Sequence, residues 1–201
     1  MISIIDYGAG NIFSVKNALD YIGIASKLTR DPSDIKASEA IILPGVGAFP
    51  AAMKLMRESG LTELLIKQVR EEKKPFLGIC LGMQLLFEKG FEFEECEGLG
   101  LIPGYVDKIV EPGLIIPHMG WNKLEQLNSS PLLCGMGNDI YVYFVHSYKA
   151  FCCDDNIAAY CEYGGRIPAL VQSDNVFGAQ FHPEKSGETG LMLLRNFCKL
   201  I

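Results

Sequence analysis

The segment KPFLGICLGMQLLFEKG, residues 74–90, places one cysteine between two glycines where an apolar run meets a helical pattern. Gly78 and Gly82 lie two positions before and two after Cys80, which is the spacing of a nucleophile elbow with sulfur in place of oxygen. Glycine avoids collisions at such a sharp turn and permits strained torsion angles. The segment therefore predicts a strand, a tight turn and a helix that together present a thiol.

Similar strand–helix alternation fills the first half of the chain. Buried strands are predicted at 2–6, 40–44 and 74–79, and helices at 11–23, 50–72 and 81–89. Strand-like runs between turn signals follow at 100–110, 139–150, 156–165, 167–174 and 175–181, before a closing helix at 187–201. Continuous apolar strands with intervening helices indicate a parallel sheet covered on both faces. We expect one α/β domain, residues 1–201, with a mainly parallel central sheet flanked by helices and extended by antiparallel hairpins.

Composition narrows the range of partners. The chain has 201 residues, 49% of them hydrophobic, and a formal net charge of -6. A negative charge argues against nucleic acid or an acidic membrane as partner. The first residues, MISIID, contain no basic segment followed by a long apolar one, and no run reaches the ~20 apolar residues of a membrane span. We therefore expect a cytoplasmic protein with neither a nucleic-acid nor a membrane partner.

The seven cysteines form no recognisable framework. Their odd number and wide spacing favour reduced thiols over disulfides in a chain of this size. No C-x-x-C pair is present and no histidine stands at ligand spacing, so we expect no metal site.

A nucleophilic cysteine needs a base, and the chain has three histidines. His182 ends an apolar strand in VFGAQFHPEKSG, since Pro183 cannot donate to a sheet ladder. Glu184 can return to the same side, fix the tautomer of the ring and stabilise its protonated form. These residues predict a triad of Cys80, His182 and Glu184; the alternative is that Cys80 packs in the core.

The other two histidines receive different interpretations. His146, in YFVHSY, has no neighbouring carboxylate, so we expect a strand residue that shapes a pocket wall. His118, in IPHMGWN, lies in a segment bounded by proline and glycine, and we expect it to be a surface residue in a turn.

A second glycine-rich loop, LPGVGAF at 43–49, follows the strand predicted before the Cys80 strand. It lacks the lysine and the Ser/Thr of a phosphate loop, which argues against ATP binding. Beside the elbow, its backbone could supply one oxyanion N–H group and Leu81 another. The helix after Cys80 would also favour the thiolate through its N-terminal N–H groups. The three features together predict an acyl-transfer site.

In this order, PGVGAF, GICLGMQ and QFHPEKS resemble the class I (triad) glutamine amidotransferases. Within that family, DYGAGN at 6–11, PHMGWN at 117–122 and YFVHSY at 143–148 resemble the glutaminase subunits of imidazole glycerol phosphate synthases in histidine biosynthesis. The resemblance implies that Cys80 attacks the carboxamide of L-glutamine, forms a glutamyl thioester and releases ammonia. His182 would shuttle protons and Glu184 would orient it, without a cofactor.

The resemblance also implies a set of oxyanion and substrate-binding residues. These are Gly45, Val46, Gly47, Leu81, Gln84, Glu92, His146, Ser147 and Tyr148. Gln84 has a second interpretation as a polar position on the elbow helix. Glu92 lies in the acid-rich segment EKGFEFEECEG, where the correspondence could shift by two residues.

No segment remains to form an ammonia acceptor, so the resemblance implies a second chain. That chain is a (β/α)8-barrel cyclase docked over Cys80, which takes up ammonia and acts on a phosphoribosyl aminoimidazole carboxamide intermediate. Asn11, Trp121, Tyr143 and Lys185 match interface positions of the family. Trp121 could instead be a partly buried core aromatic, and Lys185 an ordinary solvated charge.

Three other functions fit parts of the sequence. Relatives of this family supply ammonia to a sugar amidotransferase, and the PHMGWN motif favours the histidine pathway over that acceptor. A catalytically silent binding subunit would keep the fold but would not need the intact triad. A cysteine hydrolase that acts alone on peptides would need no partner.

Overall fold

The computed structural model describes residues 1–8, 11–110 and 113–201, so Ala9 and Gly10 of the DYGAGN motif lie outside it. The strands are β1 (Ile2–Ile5), β2 (Ser26–Thr29), β3 (Ala40–Gly45), β4 (Phe76–Cys80), β5 (Phe87–Gly90), β6 (Cys96–Glu97), β7 (Ile102–Lys108), β8 (His118–Lys123), β9 (Glu125–Gln126), β10 (Tyr141–His146), β11 (Tyr148–Phe151), β12 (Ile157–Glu162), β13 (Arg166–Ser173) and β14 (Val176–Ala179). The α-helices are α1 (Ile12–Tyr21), α2 (Pro32–Ala37), α3 (Phe49–Glu58), α4 (Leu61–Arg70), α5 (Leu81–Gln84) and α6 (Gly187–Cys198).

The central sheet has eight strands in the order β2-β1-β3-β4-β14-β13-β12-β9. The five strands from β2 to β14 pair in parallel, and β13, β12 and β9 extend the sheet with antiparallel pairing. Strands β1, β3 and β4 are buried at every position, as expected for a sheet covered on both faces. The predicted fold class is confirmed.

Two hydrophobic clusters lie on the opposite faces of this sheet. Successive strand residues supply them alternately, so Ile42 joins the cluster with α1 and α6 while Ile41 joins the cluster with α3 and α4. Leu19 of α1 and Phe197 of α6 lie in the first cluster, and Leu65 of α4 lies in the second. The alternation holds the parallel strands rigidly, so that their carboxyl ends present a fixed edge.

Two smaller sheets complete the molecule. One has four strands in the order β11-β7-β5-β6, and the other pairs β10 with β8 in antiparallel fashion. Strand β10 passes the carboxyl end of β4: the Val145 carbonyl oxygen of β10 lies 3.9 Å from the Cys80 Sγ. These strands therefore form walls around the edge where the predicted nucleophile stands.

The predicted helix at 81–89 is wrong in extent. Helix α5 ends at Gln84, and strand β5 begins at Phe87. The carbonyls that would continue the helix accept other partners: Leu85 O accepts the N–H of Leu99 and Leu86 O that of Leu101, both at 2.8 Å. Distant backbone pairing thus replaces the local helical pattern.

Two further differences concern the first half of the chain. The predicted helix at 50–72 is two helices, α3 and α4, because Gly60 has φ of 69° and turns the chain between them. Strand β2 and helix α2 were not predicted, since four and six residues are too few for a clear hydrophobic period.

Candidate active site

Cys80 stands at the junction of β4 and α5 with φ of 55° and ψ of -109°, a backbone conformation that residues with side chains rarely adopt. The flanking glycines make the turn possible. A Cβ atom on Gly82 would lie 1.8 Å from the Leu43 carbonyl oxygen, and one on Gly78 would lie 2.5 Å from that of Gly82. The predicted elbow is present, and close backbone packing explains both glycines.

The Cys80 side chain is 7% exposed and lies at the floor of a cavity. Its sulfur has the Val145 carbonyl at 3.9 Å and the Gln180 side-chain amide at 4.0 Å. Gln180 is fully buried, and the sequence analysis did not select it although it lies in the QFHPEKS motif. Because α5 has only four residues, the helix dipole that we expected to favour the thiolate is short.

His182 and Glu184 form the contact that their spacing predicts. Nδ1 of His182 lies 2.8 Å from Oε1 of Glu184, and both side chains are almost completely buried. Burial lowers the pKa of His182, but the neighbouring Cys80 and Glu184 outweigh burial and raise this pKa to about 9. Cys80 is close enough to raise the pKa of His182. Nε2 of His182 nevertheless makes no hydrogen bond of standard geometry to any described residue.

The cavity above Cys80 has a volume of about 400 Å³. His182 also lines it, while Glu184 lies behind the imidazole. Eight of the predicted oxyanion and substrate-binding residues line it as well: Val46, Gly47, Leu81, Gln84, Glu92, His146, Ser147 and Tyr148. Pro117 and Val145, which the sequence analysis did not select, complete the wall. The structure therefore brings the predicted nucleophile, its predicted base and most of the predicted binding residues to one cavity.

Gly45 does not line this cavity, but it supports the loop that does. It is paired with Cys80 across β3 and β4. A Cβ atom on Gly45 would lie 2.6 Å from the Tyr7 hydroxyl oxygen, so a larger residue would displace the tyrosine. Burial, with a further effect of Cys80, raises the pKa of Tyr7. Gly47 has φ of 109°, which the glycine at that position permits.

Gln84 and Glu92 make structural contacts in addition to lining the cavity. The amide of Gln84 donates to the Tyr148 carbonyl at 3.2 Å and to Gln180 Oε1 at 3.1 Å. Oε2 of Glu92 accepts the N–H of Phe49, the first residue of α3, at 2.7 Å. A carboxylate at a helix N-terminus is favourable, so Glu92 ties the loop before α3 to the wall that follows β5.

The four predicted interface residues are exposed or half-buried. Trp121 belongs to the segment IPHMGWN, where we expected a turn around His118, but it lies in strand β8 and remains 57% exposed. Its ring packs edge-on against Tyr143, the residue opposite it on β10, at a centroid distance of 6.2 Å. Lys185 is exposed, and the half-buried Asn11 accepts a hydrogen bond from Ser14 at 2.8 Å.

The expectation for His118 is wrong. It lies in β8 rather than in a surface turn, and it is 2% exposed. The ring packs between Phe144 and Tyr163, at centroid distances of 4.7 and 4.0 Å. Cross-strand pairing with β10 draws the segment into the core, which proline and glycine signals alone do not reveal.

Residues 1–8, 11–110 and 113–201 contain no group of three or more histidine, cysteine or acidic side chains arranged to hold a metal ion. None of the helices in these ranges has the length and apolar character needed to cross a bilayer. All seven cysteines are free thiols.

Comparison with known proteins places this site in context. Residues 3–200 match the family model described as glutamine amidotransferase class-I. An imidazole glycerol phosphate synthase subunit HisH from Bacillus cereus is 51% identical over 197 residues, which cover 98% of this chain and 93% of that protein. The protein of the same name from Bacillus anthracis is 49% identical over the same shares of both chains.

Solved structures share the fold at lower identity. A glutamine amidotransferase superposes with a TM-score of 0.79 at 24% identity, over 99% of this chain and 97% of that one. The PurLQS structure from Thermotoga maritima gives a TM-score of 0.77, also at 24% identity and with the same coverage. From the match over residues 3–200 and the relatives at about half identity, the chain belongs to the class-I glutamine amidotransferase family.

Proposed function

We propose that this chain is the glutaminase subunit of an imidazole glycerol phosphate synthase. The observation that carries the proposal is that Cys80 and His182 line one cavity, with Glu184 bonded behind the imidazole. Membership of the amidotransferase family makes L-glutamine the substrate, and the HisH relatives indicate histidine biosynthesis as the pathway. Residues 1–201 then form one amidotransferase domain.

The first half of the reaction forms a thioester. The Cys80 thiolate attacks the carboxamide carbon of glutamine, and the negative charge moves to the carbonyl oxygen. The Leu81 N–H and the backbone at Gly45–Gly47 stabilise this oxyanion. His182 is protonated near neutral pH, since its pKa is raised to about 9, and it gives its proton to the nitrogen as the C–N bond breaks. Ammonia leaves, and a glutamyl thioester remains on Cys80.

The second half releases glutamate. His182, now neutral, removes a proton from water as the water oxygen attacks the thioester carbon. The C–S bond breaks, glutamate leaves and Cys80 returns as a thiolate beside the protonated imidazole. Glu184 holds Nδ1 of His182 throughout, so that Nε2 faces the reacting atoms. Gln84, Glu92, Ser147 and Tyr148 bind the amino acid part of the substrate, and His146 forms part of the wall of the same pocket.

Ammonia released into water would be protonated and lost, so the product requires a receiver. We infer a (β/α)8-barrel cyclase subunit that docks over the cavity and consumes ammonia in making imidazole glycerol phosphate. Its contact surface includes Asn11, Trp121, Tyr143 and Lys185; an exposed tryptophan supported by a tyrosine is the kind of anchor that dominates interfaces. The reduced thiols fit a complex that works in the cytoplasm.

A reconstituted complex tests this division of labour. With Cys80→Ala, glutamine-dependent synthesis should be abolished, while synthesis from added ammonia should continue because the cyclase is intact. The matched control is Cys96→Ala, which removes a thiol that does not line the cavity and should preserve both activities. Loss of both activities in an assembled Cys80→Ala complex would contradict the proposal.

A further inference from the structure

His118 and His146 face each other across strands β8 and β10, and the proposed reaction assigns neither a proton transfer. Both residues are buried, at 2% and 6% exposure. Nδ1 of His118 lies 3.0 Å from Nε2 of His146, so one of these nitrogens donates a hydrogen bond to the other. The direction of that bond follows from the groups at the two ends of the pair.

At one end, Nδ1 of His146 lies 2.8 Å from the Tyr148 carbonyl oxygen. A carbonyl can only accept, so Nδ1 of His146 carries the proton. In a neutral ring Nε2 is then an acceptor, and it receives the Nδ1–H of His118. Because Nδ1 of His118 carries the proton, Nε2 of the same ring must accept a hydrogen bond.

At the other end, the Asn122 amide nitrogen faces Nε2 of His118 at 3.5 Å. The orientation of this amide is fixed because its oxygen accepts the Lys123 N–H at 2.8 Å and its nitrogen donates to the Glu162 carbonyl at 3.1 Å. The hydrogen bonds therefore all run in one direction, from Asn122 to the Tyr148 carbonyl. Both histidines are Nδ1–H tautomers.

This chain of hydrogen bonds has no position for an additional proton. A proton on Nε2 of His118 would face the N–H of Asn122, and one on Nε2 of His146 would face the N–H of His118. Burial lowers the pKa of both rings to about 4, and neighbouring His118 and His182 also lower that of His146 against the opposing effect of the Tyr148 carbonyl. The side chains that stack on the His118 ring are those of Tyr163 and Phe144.

The series of hydrogen bonds from Asn122 ends at the Tyr148 carbonyl, which belongs to the cavity wall. This carbonyl also accepts from the Gln84 amide at 3.2 Å, and Gln84 donates to Gln180, whose own amide lies 4.0 Å from the Cys80 sulfur. The carbonyl thus has donors on two sides, His146 and Gln84. Removing one of them would leave this carbonyl oxygen with a single side-chain donor.

We propose that His118 and His146 are positioning residues that hold the Tyr148 carbonyl, and with it the Ser147–Tyr148 wall, in the shape that binds glutamine. The inference rests on the proposed glutaminase function. It predicts that the pair acts on substrate binding more than on the chemical steps, since neither ring contacts the Cys80 sulfur in a hydrogen bond.

Three variants of the assembled complex separate the contributions. His146→Leu removes one of the two side-chain donors to the Tyr148 carbonyl and should raise the KM for glutamine about tenfold, with a smaller change in kcat, because the carbonyl is then held by Gln84 alone among side chains. His146→Asn keeps an N–H near the position of Nδ1 and should rescue most of that loss. His118→Phe keeps a ring between Phe144 and Tyr163 but removes the donor to His146, and should give an intermediate KM.

Nitrogen NMR of the histidine rings provides a readout independent of activity. The wild-type chain should show both rings as Nδ1–H tautomers near neutral pH, and His118→Phe should keep His146 as the Nδ1–H tautomer, because the Tyr148 carbonyl remains, while shifting the signal of its Nε2, which loses its donor. An Nε2–H signal from either wild-type ring would overturn the proposal. A wild-type KM in His146→Leu, or a loss of thermal stability with no change in KM, would also overturn it.

The assay also separates this inference from the function on which it rests. A wild-type complex that releases no glutamate from glutamine would refute the proposed function. Glutamate release by the wild type together with an unchanged KM in His146→Leu would refute only the role of the histidine pair.

Discussion

The backbone of Cys80 is the point of greatest local strain in the site. Its φ of 55° lies in the region that favours glycine, and the ψ of -109° takes it outside the left-handed helical basin. Neighbouring strands β3 and β14 hold β4 on both sides, so the surrounding sheet enforces this conformation. This backbone conformation directs the Cys80 sulfur into the cavity instead of into the core.

This strain predicts an unusual stability effect. Cys80→Gly should be more stable than Cys80→Ala by about 1 kcal/mol, because glycine adopts the turn without steric cost. Both variants should lack glutaminase activity. Urea unfolding of the two proteins measures the difference.

Ala51 provides the matched control, since it is an exposed position within α3. There the same exchange, Ala51→Gly, should destabilise the protein by about 1 kcal/mol. Equal stability of the two Cys80 variants would show that the turn is not strained.

The ion pair behind the nucleophile makes a second prediction at this scale. Glu184→Gln should lower kcat by about a hundredfold or more with little change in KM, because an amide neither stabilises the imidazolium nor fixes its tautomer. The pKa of His182 should fall from about 9 towards 6.5, since the Glu184 charge is one of the groups that raise it. The pH dependence of kcat and a titration of the ring measure both effects.

Glu188→Gln is the control for loss of one negative charge. Glu188 lies on α6 and pairs with Arg195 at 3.7 Å on the surface. Its loss should leave kcat unchanged. A similar kcat for Glu184→Gln and the wild type would remove Glu184 from the triad.

At the scale of elements, the elbow depends on how closely α5 approaches β3. Gly82→Ala should destabilise the protein by about 3 kcal/mol, because the new Cβ atom would lie 1.8 Å from the backbone oxygen of Leu43 and neither strand nor helix can move freely. Thermal or urea unfolding measures the loss. The control is Gly137→Ala, where no atom lies within 4 Å of the added Cβ and the change should stay within about 0.5 kcal/mol.

The elements also show where sequence patterns succeed. The strands β1, β3 and β4 were predicted because a buried parallel strand is apolar at every position. The elbow was predicted because it requires glycine at fixed offsets from Cys80. Helix α5 was predicted too long, because the apolar residues Leu85–Phe87 suit a helix and a buried strand equally well, and only their pairing with residues 99–101 decides between them.

At the scale of the whole molecule, the three histidines predict opposite effects of pH on stability. His182 has a folded pKa of about 9 against an ordinary value of 6.5, so the folded state holds a proton that the unfolded state releases between these values. The stabilisation that this proton gives the folded state is complete below pH 6.5 and is lost as the pH rises to about 9. The loss should be on the order of 3 kcal/mol.

His118 and His146 act in the other direction. Their folded pKa values are about 4, so between about pH 4 and 6.5 the unfolded chain binds protons that the folded chain does not. Stability should therefore fall as the pH is lowered through this range. Urea unfolding across pH should give a maximum near pH 6.5, with His182→Asn flattening the alkaline side and His118→Phe reducing the slope on the acidic side; an unaltered profile in both variants would contradict this assignment.

The sequence by itself determined the parallel core, the elbow and the contact of His182 with Glu184, because each depends on residues close together in the chain. His182 and Glu184 are two positions apart, and the glycines that shape the turn flank Cys80 directly. The tertiary structure alone decided which distant residues support them. Gln180 beside the sulfur, Glu92 at the start of α3 and the buried pair of His118 and His146 all depend on contacts between separate strands. The physical reason is that burial and hydrogen-bond direction are set by the partner across the sheet, and a linear pattern does not specify that partner.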